Sequence, residues 1–346
     1  MLEMKVGLIL LIGCLCALFP DSIAQEYRRI VSYNVENLFD TRHDEGKRDE
    51  DFTPAGRLHW THTRYTDKLQ KISRAIYASG EGQFPALVGL CEVENGQVLA
   101  DLVNKTLLAD ADYGIVHRDS PDARGIDVAL LYRRSCFRVL VQRFIPVRSL
   151  QDSSFRTRDV LYVSGILKSA DTLRQDTFHL FVCHFPSMAG GEMQSEWKRE
   201  LAASIVKYQV DSIQRRNPRA AVLLMGDFNG KADRPALKTV LKAKNSNTRK
   251  IEDTRLYNTG YYLLNAGTGS YKYRGEWQTI DHIIVSGVLL NGGHVFRAEK
   301  RLKPYLADFL MEEDKTYFGY KPWRTYLGPR YSGGYSDHLP VYLDIY

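Results

Sequence analysis

The stretch VLLMGDFNG, Val222 to Gly230, runs four apolar residues into a glycine and then sets Asp227 and Asn229 two apart around Phe228. It reads as the end of a buried strand, where a carboxylate is costly unless it is paired. Val222 to Met225 supply a rigid stem, and Gly226 lets the backbone turn close to whatever the stem carries. Residues two apart face the same side while the chain stays extended, so Asp227 and Asn229 can stand side by side.

Outward from this stretch, apolar runs alternate with helical periodicity. RIVSYNV reads as a first strand. From His62 to Ser79, the positions Tyr65, Leu69, Ile72 and Ile76 recur at helical spacing. ALVGLC is a short strand, and Val98 to Leu108 is expected to be a helix with Leu99, Leu102, Val103 and Leu107 on one side. DVALLY, FRVLVQRF, VLYVSGIL and FHLFVC read as successive strands. A long amphipathic helix over Met193 to Arg215 precedes AVLLMG, TIDHIIVS and a terminal strand in LPVYLDIY. Four strands in a row imply a mixed or antiparallel α/β core, not a purely doubly wound sheet.

The chain of 346 residues is 44% hydrophobic and 25% charged, which is ordinary globular composition. It has no internal repeat, low-complexity tract or Pro/Ser-rich linker, so one domain is expected over residues 25–346. Residues 1–24 stand apart. Lys5 gives a basic start, Val6 to Phe19 is apolar, and Ser22-Ile23-Ala24 is a small-x-small site before Gln25. This is the form of a secretory signal peptide, and the run is short of the roughly 20 apolar residues of a membrane helix. Leu11-Ile12-Gly13-Cys14 also resembles a lipoprotein cleavage box, which would anchor the chain at Cys14. The residues after Cys14 stay apolar, so the expectation is cleavage after Ala24 and export to a periplasm or the exterior. Cys91, Cys136 and Cys183 remain after cleavage, too few and too scattered for a disulfide framework or a zinc site. The leader holds Lys5 against Glu3 and Asp21, so its loss takes the formal charge from +6 to +7. A mildly basic chain favours anionic partners, although a solvated surface gives the same balance.

Six strand ends carry a hydrogen-bonding or ionisable group: Asn34 and Glu36, Glu92, His184, Asp227 and Asn229, Asp281, and Asp337 with His338. Each alone has a plain structural explanation, since Asp and Asn are frequent turn residues. Together they describe a site held by the ends of a rigid sheet. Glu, Asp and Asn are hard oxygen ligands suited to magnesium. Two histidines can serve as acid, base or phosphate contact. No GxxxxGK[ST] loop, strand-following GxGxxG or GxSxG elbow is present. Metal-assisted hydrolysis of a phosphate ester by an oriented water is what remains.

The ordered motifs SYNVENLF, GLCEVEN, RGIDVALLY, CHFPS, MGDFN, TIDHIIVS and YSDHLPV, from Ser32 to Val341, closely resemble those of the endonuclease/exonuclease/phosphatase superfamily. That superfamily includes deoxyribonuclease I, AP endonucleases, sphingomyelinases and inositol phosphatases. The resemblance implies a four-layered α/β sandwich, two facing mixed sheets with helices outside. It implies a divalent metal, Mg²⁺ or Mn²⁺ with Ca²⁺ a further candidate, held by Glu92 with Asn34 and Asp337 around it. It implies that Asp227 orients or deprotonates the attacking water and that Asn229 binds the phosphate. His338 would act at the scissile phosphate with Asp281 fixing its orientation, and His184 would be the second histidine.

Arg124 is a candidate phosphate contact or a structural ion-pair partner, and Asp127 could hold a neighbouring arginine or histidine. SYKYRGEWQTIDH interleaves aromatics with Lys272 and Arg274, so Arg274 and Trp277 are candidate substrate contacts, or Trp277 simply packs. His59, His62 and Arg64 stand near a helix start, where an anion can bind. QTIDHI stands where inositol-polyphosphate phosphatases show a PxWCDR pattern, which argues against that branch. The expected substrate is nucleic acid, with a lipid headgroup or small phosphate ester as the alternative and a non-catalytic binding module as the remote one. No protein partner is implied, and a monomer is expected.

Overall fold

The computed structural model describes residues 27–169, 175–292 and 295–346, so the leader expected over 1–24, with Cys14, lies outside the described residues. The first strands are β1 (Arg28–Leu38), β2 (Leu87–Val93), β3 (Tyr113–His117), β4 (Asp127–Arg133), β5 (Phe137–Ile145), β6 (Val160–Lys168), β7 (Gln175–His184) and β8 (Ala221–Asp227). Short strands follow as β9 (Lys244–Asn245), β10 (Leu256–Asn258), β11 (Tyr271–Tyr273) and β12 (Glu276–Gln278), then β13 (Asp281–Ser286). The last are β14 (Lys303–Pro304), β15 (Met311–Glu313), β16 (Tyr320–Pro322), β17 (Tyr326–Leu327), β18 (Arg330–Tyr331) and β19 (Val341–Ile345). The helices are α1 (His62–Ser79), α2 (Gly96–Asn104), α3 (Glu192–Arg216) and α4 (Gly287–Asn291).

Two mixed sheets form, ordered β14-β19-β1-β2-β4-β3 and β5-β6-β7-β8-β13-β10-β9. The central pairs β1–β2 and β7–β8 are parallel, and their immediate neighbours are antiparallel. Alternate residues of each central strand point to opposite layers. Ile30, Leu87, Leu130 and Leu343 meet Leu180, Val182, Leu223, Met225 and Ile283 between the sheets. Val31, Tyr33, Val88 and Leu90 face Tyr65, Leu69, Ile72 and Ile76 of α1 and Leu99 and Leu102 of α2. Val222, Leu224 and Ile284 face Ala202, Ala203, Val206 and Val210 of α3. The result is the expected four-layered sandwich. Burial on both faces is why AVLLMG reads as one unbroken apolar run.

Some boundaries differ from expectation. α2 stops at Asn104, and a separate 3₁₀ turn covers Leu107–Ala111. Thr106 makes the break: its hydroxyl donates to the carbonyl of Leu102 at 2.5 Å and accepts the N–H of Leu108 at 3.2 Å, capping a new turn. The four consecutive strands also divide, with β4 in the first sheet and β5 to β7 in the second. Cys91, Cys136 and Cys183 are buried and form no disulfide. Among the described residues no helix is long and apolar enough to cross a membrane.

Gly226 is the special backbone position of the second sheet. Its φ is +138°, and a Cβ there would lie 1.8 Å from the carbonyl oxygen of Cys183 on the neighbouring strand. Gly226→Ala is therefore expected to cost at least about 2 kcal/mol, because strain and overlap add. A Cβ at Gly96, on the first turn of α2, meets nothing within 4 Å. Gly96→Ala should be neutral or stabilising by up to about 1 kcal/mol. Urea midpoints at unchanged m-value check the contrast, and equal midpoints for the two variants would refute it.

Candidate active site

The site forms where both sheets end. β1 and β2 lose register at their carboxyl ends, between Asn34 and Leu38 and between Cys91 and Val93. Glu36, Asn37 and Glu92 there have φ of 49°, 54° and 66°, and Asn229 beyond β8 has 46°. Non-glycine residues in this region cost free energy and persist only where surroundings fix them. The surroundings are visible: the N–H of Asn37 donates to Oε2 of Glu92 at 3.0 Å, and the N–H of Glu36 donates to Oδ1 of Asn34 at 3.0 Å.

Asp227 sits at the centre, 2% exposed. Its Oδ1 accepts the N–H of Asn229 at 2.8 Å, and its Oδ2 accepts the Asn34 amide at 3.0 Å. The side-chain amide of Asn229 in turn donates to the carbonyl of Phe185 at 2.9 Å, tying the end of β8 to that of β7. Burial, then the charge of Asp281, raises the Asp227 carboxyl to about 7.

The two histidines differ in charge. His338 donates Nδ1–H to Oδ2 of Asp281 at 2.8 Å, and Ser270 donates its hydroxyl to the same oxygen at 2.5 Å. Burial works against the imidazolium, but the charge and hydrogen bond of Asp281 outweigh it and hold His338 well above the ordinary histidine range. Its Nε2 stands 3.9 Å from both Asp227 Oδ2 and Asp337 Oδ1, beyond hydrogen-bond reach, which leaves that proton for a ligand. The Tyr271 ring packs on the imidazole with centroids 4.8 Å apart. His184 is buried without an equivalent carboxylate, and its Nδ1 has no partner. Burial, then the cations Arg158 and Arg124, pushes it well below the ordinary range, so it is neutral near pH 7. Its Nε2 lies 3.7 Å from Asp227 and 3.9 Å from Glu92.

A cleft of about 720 Å³ brings together Asn34, Glu92, Arg124, His184, Asp227, Asn229, Asp337 and His338, eight of the eleven residues expected from sequence. Asp281 stands directly behind, fully buried, as a support for His338. Arg124 reaches to 3.8 Å from Glu92 Oε1. Arg274 and Trp277 do not line the cleft, which corrects that expectation. In the β11–β12 hairpin, Tyr271 pairs with Gln278 and Tyr273 with Glu276, and these four face the cleft. Lys272 pairs with Trp277, so alternation turns both away. Lys272 instead bonds Asp314 at 3.0 Å, and Trp277 packs against the core beneath α1. Arg274 occupies the exposed tip of the hairpin, over the ring of Tyr273. His59, His62 and Arg64 are also absent from the lining: Arg64 donates to the carbonyls of Leu58 and His59. Asp127 accepts the N–H of Ser120 and lies 3.7 Å from His117.

Several contributors escaped the sequence reading. Lys231 and Arg234 line the cleft directly after the GDFNG turn, a basic pair that the sequence displays. Arg158 is buried and donates to the carbonyls of His184 and Phe185 at 2.8 and 2.7 Å, fixing the backbone that carries His184. Arg324 bridges Glu36 at 3.1 Å and Asp337 at 2.9 Å. His282 is the structural member of TIDH: it bonds the carbonyl of Gly230 at 2.9 Å, and burial lowers it to about 4.

A model of the endonuclease/exonuclease/phosphatase family matches residues 29–346. The chain belongs to that family. An endonuclease/exonuclease/phosphatase family protein from Bacteroides thetaiotaomicron aligns at 16% identity and TM-score 0.54, covering 92% of this chain and 94% of that one. The human nocturnin catalytic domain with bound sulfate gives the same identity, score and coverages. A mannosyl-6-phosphatase of Bacteroides thetaiotaomicron aligns at 16% identity and TM-score 0.54, over 92% of this chain and 99% of that chain. D. rerio TDP2 complexed with a single-stranded DNA product aligns at 13% identity and TM-score 0.52, again over 92% and 99%. At these identities the likeness is one of fold. No curated protein matches the chain. As a member of this family the chain is a divalent-metal-dependent phosphoric ester hydrolase.

The donors facing the cleft fit such an ion. Glu92 keeps Oε1 free of hydrogen bonds while Oε2 is anchored, and Asp337 presents Oδ1 while Arg324 holds Oδ2. An all-oxygen set of this kind suits a hard divalent cation.

The contrast between the histidines is testable in the metal-free protein by ¹⁵N NMR. His338 should stay charged through pH 7.5. In Asp281→Asn the opposing charge is gone while burial remains, so its titration should move to lower pH. An unchanged titration in Asp281→Asn would contradict the assignment.

Proposed function

We propose that this chain is an exported endonuclease that hydrolyses phosphodiester bonds of nucleic acid. The observation that carries the reading is one carboxylate, Asp227, flanked by a charged and a neutral histidine in an open cleft. Arg124, Lys231 and Arg234 bring three cations to that cleft, each beside a lining carboxylate (Glu92, Glu276 and Glu192), and Tyr271 and Tyr273 offer rings to it. A cleft of about 720 Å³ is far larger than one phosphate group needs and has room for chain on both sides of it. Basic and aromatic groups together suit a nucleic acid strand, whose backbone is anionic and whose bases stack. The structural likeness to a protein complexed with a single-stranded DNA product supports the same choice. Export rests on the leader alone: Lys5, the apolar run to Phe19, and Ser22-Ile23-Ala24.

The residues divide the work as follows. Glu92 and Asp337 would hold the ion, with Mg²⁺ or Mn²⁺ the expected species and Ca²⁺ a further candidate. Asn34 holds Asp227 through its amide, and its carbonyl, which accepts the N–H of Glu36, would support the ion from beside Glu92. When bound, the ion neutralises charge on the phosphate and draws electrons from it. Asp227, with a carboxyl near 7, orients the attacking water and takes its proton. The imidazolium of His338 donates Nε2–H to the phosphoryl group as negative charge builds there. Asp281 is a positioning residue that keeps His338 charged and oriented. Neutral His184 offers a hydrogen bond from the opposite side, and Asn229 holds the edge of the phosphate site.

The chain of residues 25–346 should nick plasmid DNA with Mg²⁺ and lose that activity in EDTA. Glu92→Ala and His338→Ala should each lower kcat by at least about 10²-fold. Turnover that survives EDTA, or variants with unchanged rates, would refute the mechanism. Hydrolysis of sphingomyelin or a sugar phosphate without cleavage of DNA or RNA would replace the nuclease reading with the small-ester one.

A further inference from the structure

The loop between β1 and α1 carries a second group of carboxylates that the catalytic site does not use. Asp49 is buried; its Oδ2 accepts the N–H of Asp44 at 2.9 Å, and its Oδ1 meets Nδ1 of His43. Glu94, just past β2, is 3% exposed. Its Oε2 accepts the N–H of Asp40 at 2.6 Å. Its Oε1 is shut off from solvent and has no hydrogen-bond partner. Carboxylate oxygens of Asp44, Asp49 and Glu94 lie within 4.8 Å of one another. Among the described residues, the ion-pair partner of this trio is His43 on Asp49, with no lysine or arginine. Lys47, on the same loop, spends its ammonium on the carbonyls of Ser120 and Asp122 at 2.8 and 2.9 Å.

Three carboxylates that converge without a lysine or arginine, one of them with a buried, unpartnered oxygen, are costly unless a cation joins them. We infer that Asp44, Asp49 and Glu94 form a Ca²⁺ site distinct from the catalytic metal. The donors are oxygens, which suits a hard cation. Ca²⁺ takes six to eight oxygens at about 2.3–2.6 Å, so two ligands of one ion stand at most about 5 Å apart. The observed spacing is within that span. Asp44 is exposed, which leaves one side open for water ligands. The position gives the ion a task. Glu94 lies two residues beyond Glu92, and the loop leaves β1 just after Asn37, whose N–H holds Glu92. A cation here fastens the loop to the strand end that presents Glu92. The inference does not depend on the substrate.

The test uses the full chain stripped with EDTA and then given CaCl₂ alone. At a concentration about 100 times Kd, thermal unfolding should rise by about 5 °C in the wild type. The same rise is expected in Glu92→Ala, because the catalytic ligand is not involved. In the Glu92→Ala background Asp44→Asn, an isosteric change at an exposed residue, should lose the rise while the calcium-free Tm stays near that of Glu92→Ala. Calorimetric titration with CaCl₂ should find a site in Glu92→Ala and none in Glu92→Ala/Asp44→Asn. No rise in the wild type, a rise that Glu92→Ala/Asp44→Asn retains in full, or a rise that Glu92→Ala abolishes would overturn the inference.

Discussion

The two halves of the site are joined at its centre by a hydrogen bond from one sheet to the other. Asn34 belongs to β1 of the first sheet, Asp227 to β8 of the second, and the amide of one donates to the carboxylate of the other at 3.0 Å. Between the layers the sheets meet largely through apolar side chains, which set distance but not orientation. Met225 packs so closely over Gly89 that a Cβ there would lie 2.9 Å from its sulfur. That contact brings the strand ends level, and the polar pair then fixes their register. Glu92 and Asn34 come from one sheet, and His184, Asp227 and Asp281 from the other. His338, three residues before β19, crosses the gap to Asp281 at 2.8 Å. The catalytic geometry is therefore a property of the sandwich, and a loose sheet interface would dissolve it.

Within that frame, burial sorts identical residue types into different roles. His338 and His184 are both buried, yet only His338 has a carboxylate in hydrogen-bond contact, so one is charged and the other neutral. His282, equally buried, has neutral partners and serves only to tie β13 to the loop after β8. Among the acids, Asp227 is raised by burial, then by Asp281, and Asp281 itself is spent on His338. A water-activating group near neutrality and a charged donor opposite it follow from these pairings, with no unusual residue required.

Much of this was legible before the structure. Strand ends bearing Asn34, Glu92, His184, Asp227 and His338 were readable because short side chains on buried strands leave a strong apolar-to-polar step in the sequence. The four layers were readable for a related reason, since strands buried on both faces give unbroken apolar runs. The hairpin over Tyr271 to Gln278 was not. Its composition shows aromatics and bases, but which face meets the cleft depends on pairing register, and that register turns Trp277 and Lys272 away. Arg158 and Arg324 were invisible for a different reason: they act through contacts 26 and 288 residues distant in sequence, which no local pattern encodes. The divided helix at Thr106 shows a side-chain cap overriding helical periodicity.

The most direct test of the account is a crystal of the chain with Mn²⁺ and a dinucleotide phosphorothioate, read by anomalous differences at the metal and sulfur. The account predicts a Mn²⁺ peak on Glu92 and Asp337, with the phosphorothioate seated among Asn229, His184 and His338. Metal and phosphorothioate found together elsewhere, with Glu92 and His338 untouched, would contradict it.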